Sequence, residues 1–445
     1  MEIRKSAALA TTGGLVASAF GLVASAPAFA ATCDGVTPIP ATEAALRTAL
    51  DNLEPVICIE SGTIDFSSGG VDGVADSIGL HHSASIIGLG EVTMTSHGET
   101  GIFSATLSGI DLTIDNVTFD DATDRNDDAV IWYESSGTLT VSNCVFTNNQ
   151  SARSAITIMS ESAHPFITNT RFEGNTSTSQ DGGAIYSYGG LDVSDSIFID
   201  NFSPSVGGAI ATEWGVSVSG STFEGNHADF SGGALFVGDD SVIVNNTFAG
   251  NTSATIGGAA RIGVSSEVLF NTFVGNSADV DANALNTLDF TAAGNIFADG
   301  PGLEIQNNGR AVTDNGANVA ISTEPGDVQS LNSPSSKTGV SLDSLELGEI
   351  GDNGGTTETI ALGGGSLARD LWTPALADAA TSDNIPTLDQ RGETRGASFD
   401  AGAWDDGETP SDLASTGVNA QGIALTGAAL TVAGIASAAR RRRKA

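Results

Sequence analysis

The sequence predicts an all-β chain wound as a right-handed parallel β-helix, about 25 residues per coil, with a capping helix at its N-terminal end. Three observations carry this. A phenylalanine returns at Phe119, Phe146, Phe172, Phe198, Phe223, Phe248, Phe273 and Phe297, with spacings of 27, 26, 26, 25, 25, 25 and 24 residues. A fixed period of that size marks a solenoid. Ahead of that Phe, apolar residues alternate with a period of two, as Leu112/Ile114, Leu139/Val141, Leu191/Val193 and Val216/Val218; in other repeats Ile167, Ile243 and Val268 keep the second place. This is strand periodicity with one face buried. Each repeat is then punctuated by a four-residue phrase from Phe to Asn149, Asn175, Asn201, Asn226, Asn251 or Asn276, and by Gly pairs that begin at Gly182, Gly207, Gly232 and Gly257. No repeat holds a ten-residue helical pattern, which argues against leucine-rich, ankyrin and helical-pair repeats.

Short strands broken by Gly and Asn at this period fit three strands per coil. Coils then stack at about 4.8 Å, and equivalent residues lie above one another. The phenylalanines are expected to stack inside, each burial contributing ~1.5–3 kcal/mol. The asparagines are expected to form an amide ladder at a turn, in the left-handed conformation that Asn tolerates. The Gly pairs mark a bend that a Cβ would obstruct.

In chain order, residues 1–30 read as a signal peptide: Arg4 and Lys5, an apolar run, then Ala28-Phe29-Ala30 as cleavage site. The alternative is an uncleaved membrane anchor. Export permits disulfides. Residues 31–60 are expected to cap the first coil, with Cys33 and Cys58 paired across one helix. That helix, Thr42–Asn52, has Thr42 as N-cap and Ala45, Leu46, Ala49 and Leu50, with Leu53 beyond, on one face. Cys144 reads as a small unpaired coil residue, equivalent to Thr170, Ser196 and Ser221. The β-helix is placed at 61–300, with its register before residue 110 open. After Phe297 the period fails. Residues 310–345 read as a polar loop or insertion, and 301–405 as final coils and a C-terminal cap. Residues 406–416 form a linker and motif, Leu413-Ala414-Ser415-Thr416-Gly417. Within 417–445, an apolar run from Ile423 to Ala439 precedes Arg440-Arg441-Arg442-Arg443-Lys444.

Three resemblances follow from these residues. The alternation of GGA[I/L] with FxxN over about 110–300 resembles the repeat of polymorphic outer-membrane proteins and related β-helical surface proteins. NIFADG from Asn295, GDNGGTTETIAL from Gly351, GSLARD from Gly365, DQRGETRG from Asp389 and DAGAWD from Asp400 together resemble the choice-of-anchor Q domain of bacterial surface proteins. The resemblance implies a place at the cell surface. The order of LASTG, apolar run and basic tail resembles a Gram-positive sorting signal, in the Ala-for-Pro variant used by some actinobacterial sortases. By that resemblance the partners are a sortase, whose thiol attacks the Thr416 carbonyl, and peptidoglycan, whose amine receives it. An ordinary C-terminal transmembrane helix is the alternative.

The chain has 54 acidic and 17 basic residues, a net charge of −37, and residues 31–416 alone carry −43. Such a surface repels nucleic acid and anionic membranes. Most of it reads as a solvated face. Calcium is the one cofactor to weigh, with Asp120, Asp121 and Asp124 as the weak candidate site; Asp127, Asp128 and Arg125 lie beside them. Arg391 and Arg395 among Asp370, Asp389 and Asp400 read as a structural ion-pair and turn network.

No catalytic residue emerges. The pectin-lyase-like solenoid hosts polysaccharide enzymes, yet the clustered aspartates with NTD, GHG and RIK phrases of polygalacturonase-like enzymes are missing. RIG at Arg261 is the nearest fragment. His81, His82, His97, His164 and His227 are dispersed, with no metal or triad spacing. The more suggestive feature is a column. If Ile185, Ile210 and Leu235 point inward, then Tyr186, Ala211, Phe236 and Arg261 point outward, with Tyr188, Glu213 and Trp214 close by and Tyr133 in an earlier coil. Tyr186, Tyr188, Glu213, Trp214 and Phe236 are therefore the candidate face for an extracellular glycan. The expected function is that of a secreted, wall-anchored adhesin or carbohydrate-contacting stalk. A surface polysaccharide lyase or hydrolase on the same fold, and a purely structural surface component, are the alternatives.

Overall fold

The structure, a computed structural model, describes residues 32–407 except 67–76, 98–99, 125–128, 164, 300–301, 308, 311, 323, 326–329 and 397. The expected signal peptide, the sorting motif Leu413–Gly417 and the apolar tail lie outside these residues, as do Arg125, Asp127, Asp128, His164 and the side chain of Asp124.

The chain winds into a parallel β-helix. One coil runs from Leu112–Asp115 on the first face to Thr118–Asp120 on the second and Thr123–Asp124 on a short fourth. It then passes through Ile131–Tyr133 on the third and returns as Leu139–Ser142 to the first. The faces hold eleven, twelve, seven and ten strands in that path order.

All eight phenylalanines share one inward row, each paired with the next coil's. Their rings stack with centroids 4.6–5.1 Å apart and planes within 13° of parallel. Before residue 110 the structure supplies the register that the sequence left open: Ile57 pairs with Ile86, Ile86 with Ile114, Ile64 with Met94 and Met94 with Phe119.

The asparagine ladder is continuous. From Asn149 to Asn251 each Nδ2 donates to Oδ1 of the next coil's asparagine at 2.8–2.9 Å. The same amide donates back to the carbonyl of the phenylalanine one coil before, at 2.9–3.0 Å. Its conformation differs from expectation. The ladder residues are not left-handed; the residue before each one is: Asn148, Gly174, Asp200, Gly225, Gly250 and Gly275 have φ of 53°, 65°, 51°, 64°, 64° and 68°. The turn is made one step early, so the ladder amide can aim along the axis. At the Gly pair, Gly207 has φ of 64°, and a Cβ on Gly208 would lie 2.1 Å from the Gly233 carbonyl oxygen.

Helix α1 (Glu43–Asp51) covers the first coil, with Thr42 Oγ1 accepting from the Ala45 amide. Leu46, Ala49 and Leu50 join the core formed by Ile57 and Ile59. Leu53 does not: it lies past the helix end with φ of 60° and is 61% exposed. The segment before the helix pairs with the first strand through Ile39 and Ile59. A disulfide joins Cys33 to Cys58, Cα atoms 5.9 Å apart. Closing this loop contributes roughly 3–4 kcal/mol in the chain-entropy model.

In the C-terminal third the chain first continues the coils and then leaves them. Residues read as loop provide further coil strands, Val312–Gly316, Val319–Ala320 and Lys337–Thr338. From 341 to 407 the chain folds back along the flank of the solenoid as a strap. It is tied at Gly220 by Thr357, at Thr222 and Thr247 by Gln390, at Glu267 by Asn384 and at Thr272 by the Ala403 amide. Phe270 is the apolar anchor. It holds φ of 54°, a costly region for a bulky residue, and packs against Trp372 and Phe399 at 5.1 and 5.2 Å.

The asparagine ladder ends on an acid. Asn276 donates its backbone N–H and Nδ2 to Asp299 Oδ1 at 2.9 and 2.7 Å. Asp299 Oδ2 is sealed from solvent without a partner. Burial pushes this carboxyl up to about 7. A carboxyl raised on folding stabilises fully below its unfolded value of about 3.9, and that contribution is lost as pH rises through about 7. The Asp299→Asn chain is therefore expected to melt higher than wild type at pH 8, with the gap closing at pH 5. A gap independent of pH in paired thermal melts would contradict this.

Candidate functional site

The candidate face starts from the parity of the third-face strands. In Ile185–Ser187 and its neighbours the first and third residues enter the core, so the middle residue faces out. The outward row reads Trp132, Thr157, Tyr186, Ala211, Phe236 and Arg261. Tyr186, Ala211, Phe236 and Arg261 thus fall where the sequence placed them. Tyr133 does not. It is fully buried, its hydroxyl donating to the Ile110 carbonyl oxygen at 2.5 Å. Its neighbour Trp132 takes the outward place and is stacked by Arg153 at 4.9 Å. Arg153 therefore joins Arg261 as a base on this face.

Of the five candidate residues, Trp214 alone lines an adjoining groove. Tyr186 donates its hydroxyl to Glu213 Oε1 at 3.4 Å; burial and Glu213 push the phenol up to about 12, so it remains a donor. Tyr188 is 38% exposed at the strand end. Phe236 is roofed by the Arg261 guanidinium at 4.7 Å, which takes one ring face. Trp214, 58% exposed, turns instead to the neighbouring corner of the solenoid.

That corner holds a groove of about 520 Å³. Its floor is the outward row of the first face, Asp192, Ser217 and Val242 in successive coils. Its walls are turns between the third and first faces: Glu161, Ala163 and Pro165, then Gly190, then Trp214 and Gly215, then Asp239 and Asp240. Four carboxylates and one indole line it, and among the described lining residues there is no Lys, Arg or His; His164, between Ala163 and Pro165, lies outside the described residues. Asp239 Oδ1 is held by the Val264 amide at 2.8 Å. A groove across several coils, acidic and walled by one exposed ring, can accept hydroxyl donors along a chain and stack one sugar face. It repels a polyanion. Sequence reasoning found Trp214 but missed the groove. A signal was present in chain length: seven residues, 159–165, separate Ile156–Ile158 from Phe166–Thr168, against three, 188–190, between Ile185–Ser187 and Leu191–Ser194.

Of the weak calcium candidate, Asp120 and Asp121 are described, and the side chain of Asp124 lies outside the described residues. Asp121 accepts from His97 Nδ1 at 3.3 Å, and His97 Nε2 lies 3.9 Å from Asp65. Among the described residues, no three-ligand cluster forms there. His227 is bound to Thr252 and Asp229 and stacked on Phe202. Cys144 is unpaired and buried, and burial pushes its thiol up to about 12, which makes it inert.

The Arg391 and Arg395 network resolves into two unlike parts. Arg391 pairs with Asp389 at 2.8 Å and stacks on Trp404. Arg395 reaches carbonyls rather than carboxylates, donating to Asn245 Oδ1 and the Gly402 oxygen at 2.9 Å while lying over Phe270 and Phe399. Burial raises Asp400 to about 7, because its neighbours do not fully offset its charge.

Among the described residues no helix is long and apolar enough to cross a membrane, and the expected apolar helix at 423–439 lies outside them. Residues 100–323 match the family described as right handed beta helix region. No curated protein and no solved structure gives a significant match.

Proposed function

For a chain that belongs to the right-handed β-helix family, we propose the role of an exported, wall-anchored surface protein whose Trp214 groove holds a neutral glycan chain without cleaving it. The observation that carries this is the position of Trp214: a large apolar ring, 58% exposed, on the wall of a groove otherwise lined by carboxylates and small residues. An indole left in water without a partner offers stacking area at little conformational cost. The carboxylates supply acceptors for sugar hydroxyls, and a charge of −43 over residues 31–416 disfavours anionic chains. A lyase needs a base against the substrate, and none of the described lining residues is basic.

Export and anchoring rest on the sequence. The signal peptide ends at Ala30, and the LASTG motif, apolar run and basic tail follow in order. The Cys33–Cys58 disulfide suits an oxidising compartment. Glu161, Asp192, Asp239 and Asp240 favour one second reading, a hydrolase, because hydrolysis of a glycosidic bond needs two carboxylates. Release of reducing sugar by the wild-type chain would select it.

On a glycan array, with and without calcium, the chain is expected to bind neutral polysaccharide. Trp214→Ala should weaken that binding about tenfold or more at unchanged melting temperature. Phe236→Ala, whose ring Arg261 already covers, should leave it nearly unchanged. Equal binding by wild type and Trp214→Ala, or none by either, would remove the groove from the account. Anchoring is tested separately. Thr416→Ala should move the protein from muramidase-released wall material to membrane or medium, and undiminished wall retention would refute attachment through Thr416.

A further inference from the structure

The last turn of the strap gathers more negative charge than it neutralises. Asp400 and Asp405 are 1% and 3% exposed. Asp400 Oδ1 accepts from the Asp370 amide at 2.9 Å, and Asp405 Oδ1 from the Asp400 amide at 3.3 Å. The second oxygen of each, Asp400 Oδ2 and Asp405 Oδ2, is sealed from solvent and has no hydrogen-bond partner. Two buried carboxylate oxygens left this way are strongly unfavourable unless something positive meets them.

The nearby cations do not suffice. Three guanidiniums stand at this turn: Arg391 on Asp389, Arg369 on Asp406, and Arg395 on backbone carbonyls. Against them stand those two aspartates together with Asp370, Asp400 and Asp405. Five carboxylates face three guanidiniums, an excess of acid that one divalent ion would offset.

We propose that Asp400, Asp405 and Asp406 bind a calcium ion that clamps the C-terminal strap. One carboxylate oxygen from each of the three lies within 4.8 Å of the others, a spread that a single ion with oxygen ligands at 2.3–2.6 Å can span. The donors are all oxygen, with no His or Cys, which selects a hard cation. Calcium tolerates an irregular set of carboxylates, whereas magnesium demands near-octahedral geometry. The Asp406 side chain is 15% exposed and gives the ion a way in. The site belongs to the strap, remote in sequence from Asp120 and Asp121 and from the Trp214 groove, and does not depend on glycan binding.

The test uses the full chain stripped of metal on a chelating resin. Calcium should raise its melting temperature saturably, and terbium should give one site per chain with luminescence excited through tryptophan. Asp405→Asn should lose at least about tenfold in calcium affinity, since the negative charge goes and a neutral amide oxygen replaces a carboxylate. Asp406→Asn, on the exposed side, tests the same loss in a variant that keeps the buried pair intact. Asp121→Asn should respond like wild type, and Trp404→Phe should dim the terbium signal while keeping the thermal response. Absence of both a thermal and a terbium response in wild type overturns the proposal. So does a response that survives both Asp405→Asn and Asp406→Asn.

Discussion

Everything in this molecule depends on stacking each coil in register on the one before. The asparagine ladder shows the constraint most clearly. The Asn226 side chain takes part in four hydrogen bonds: it donates to the Phe198 oxygen and to Asn251 Oδ1, and accepts from the Asn201 amide and Asn201 Nδ2. Every one crosses to another coil. A shift by one residue would break all four and leave buried polar groups unpaired, at ~1–3 kcal/mol each. The phenylalanine row beside it is apolar and tolerant, so it supplies burial energy, whereas the ladder fixes position. Together they place every outward side chain on a regular grid.

That grid explains why function resides in the turns. The outward rows of the faces are flat and spaced at the coil repeat, so they vary little in height. At the groove, relief comes where the connection lengthens to 159–165 and where a turn carries the large side chain of Trp214. The groove follows from these two local departures on a rigid support, and its acidity follows from the chain's composition. The strap is the other large departure. It crosses five coils between Gly220 and Asn315 and holds most of the buried charge in the described structure, including Asp389, Arg395, Asp400 and Asp405. Asn315 marks its far end.

What could be read from the sequence was whatever repeats with the same residue. The phenylalanine and asparagine rows and the strand parity around Tyr186 were legible because identity and spacing recur together. A second ladder was only half legible. Cys144, Thr170, Ser196 and Ser221 were seen as equivalents, but the row continues through Asn246, Asn271, Asn295 and Asn318, and from Thr170 onward each side chain accepts the preceding coil's backbone N–H at 2.9–3.4 Å. One acceptor role filled by different side chains hides the row from a search for identity. Tyr133 was misread because no Gly pair fixes the parity in its coil. The strap was illegible as a strap because its partners, such as Asn245 for Arg395, lie 150 residues away and share no period with it.

Removal of one coil tests the register most directly. Deleting Phe172–Ile197, one full repeat that lies before the strap's tie at Gly220, brings Phe198 into the place of Phe172 and Asn201 into that of Asn175. The account predicts a folded, protease-resistant chain with β-rich circular dichroism. Deleting about half of that repeat should unfold the solenoid beyond the cut, because every later side chain would lose its row. If the two deletions give the same circular dichroism and the same protease resistance, the coils are not interchangeable units and the account is wrong.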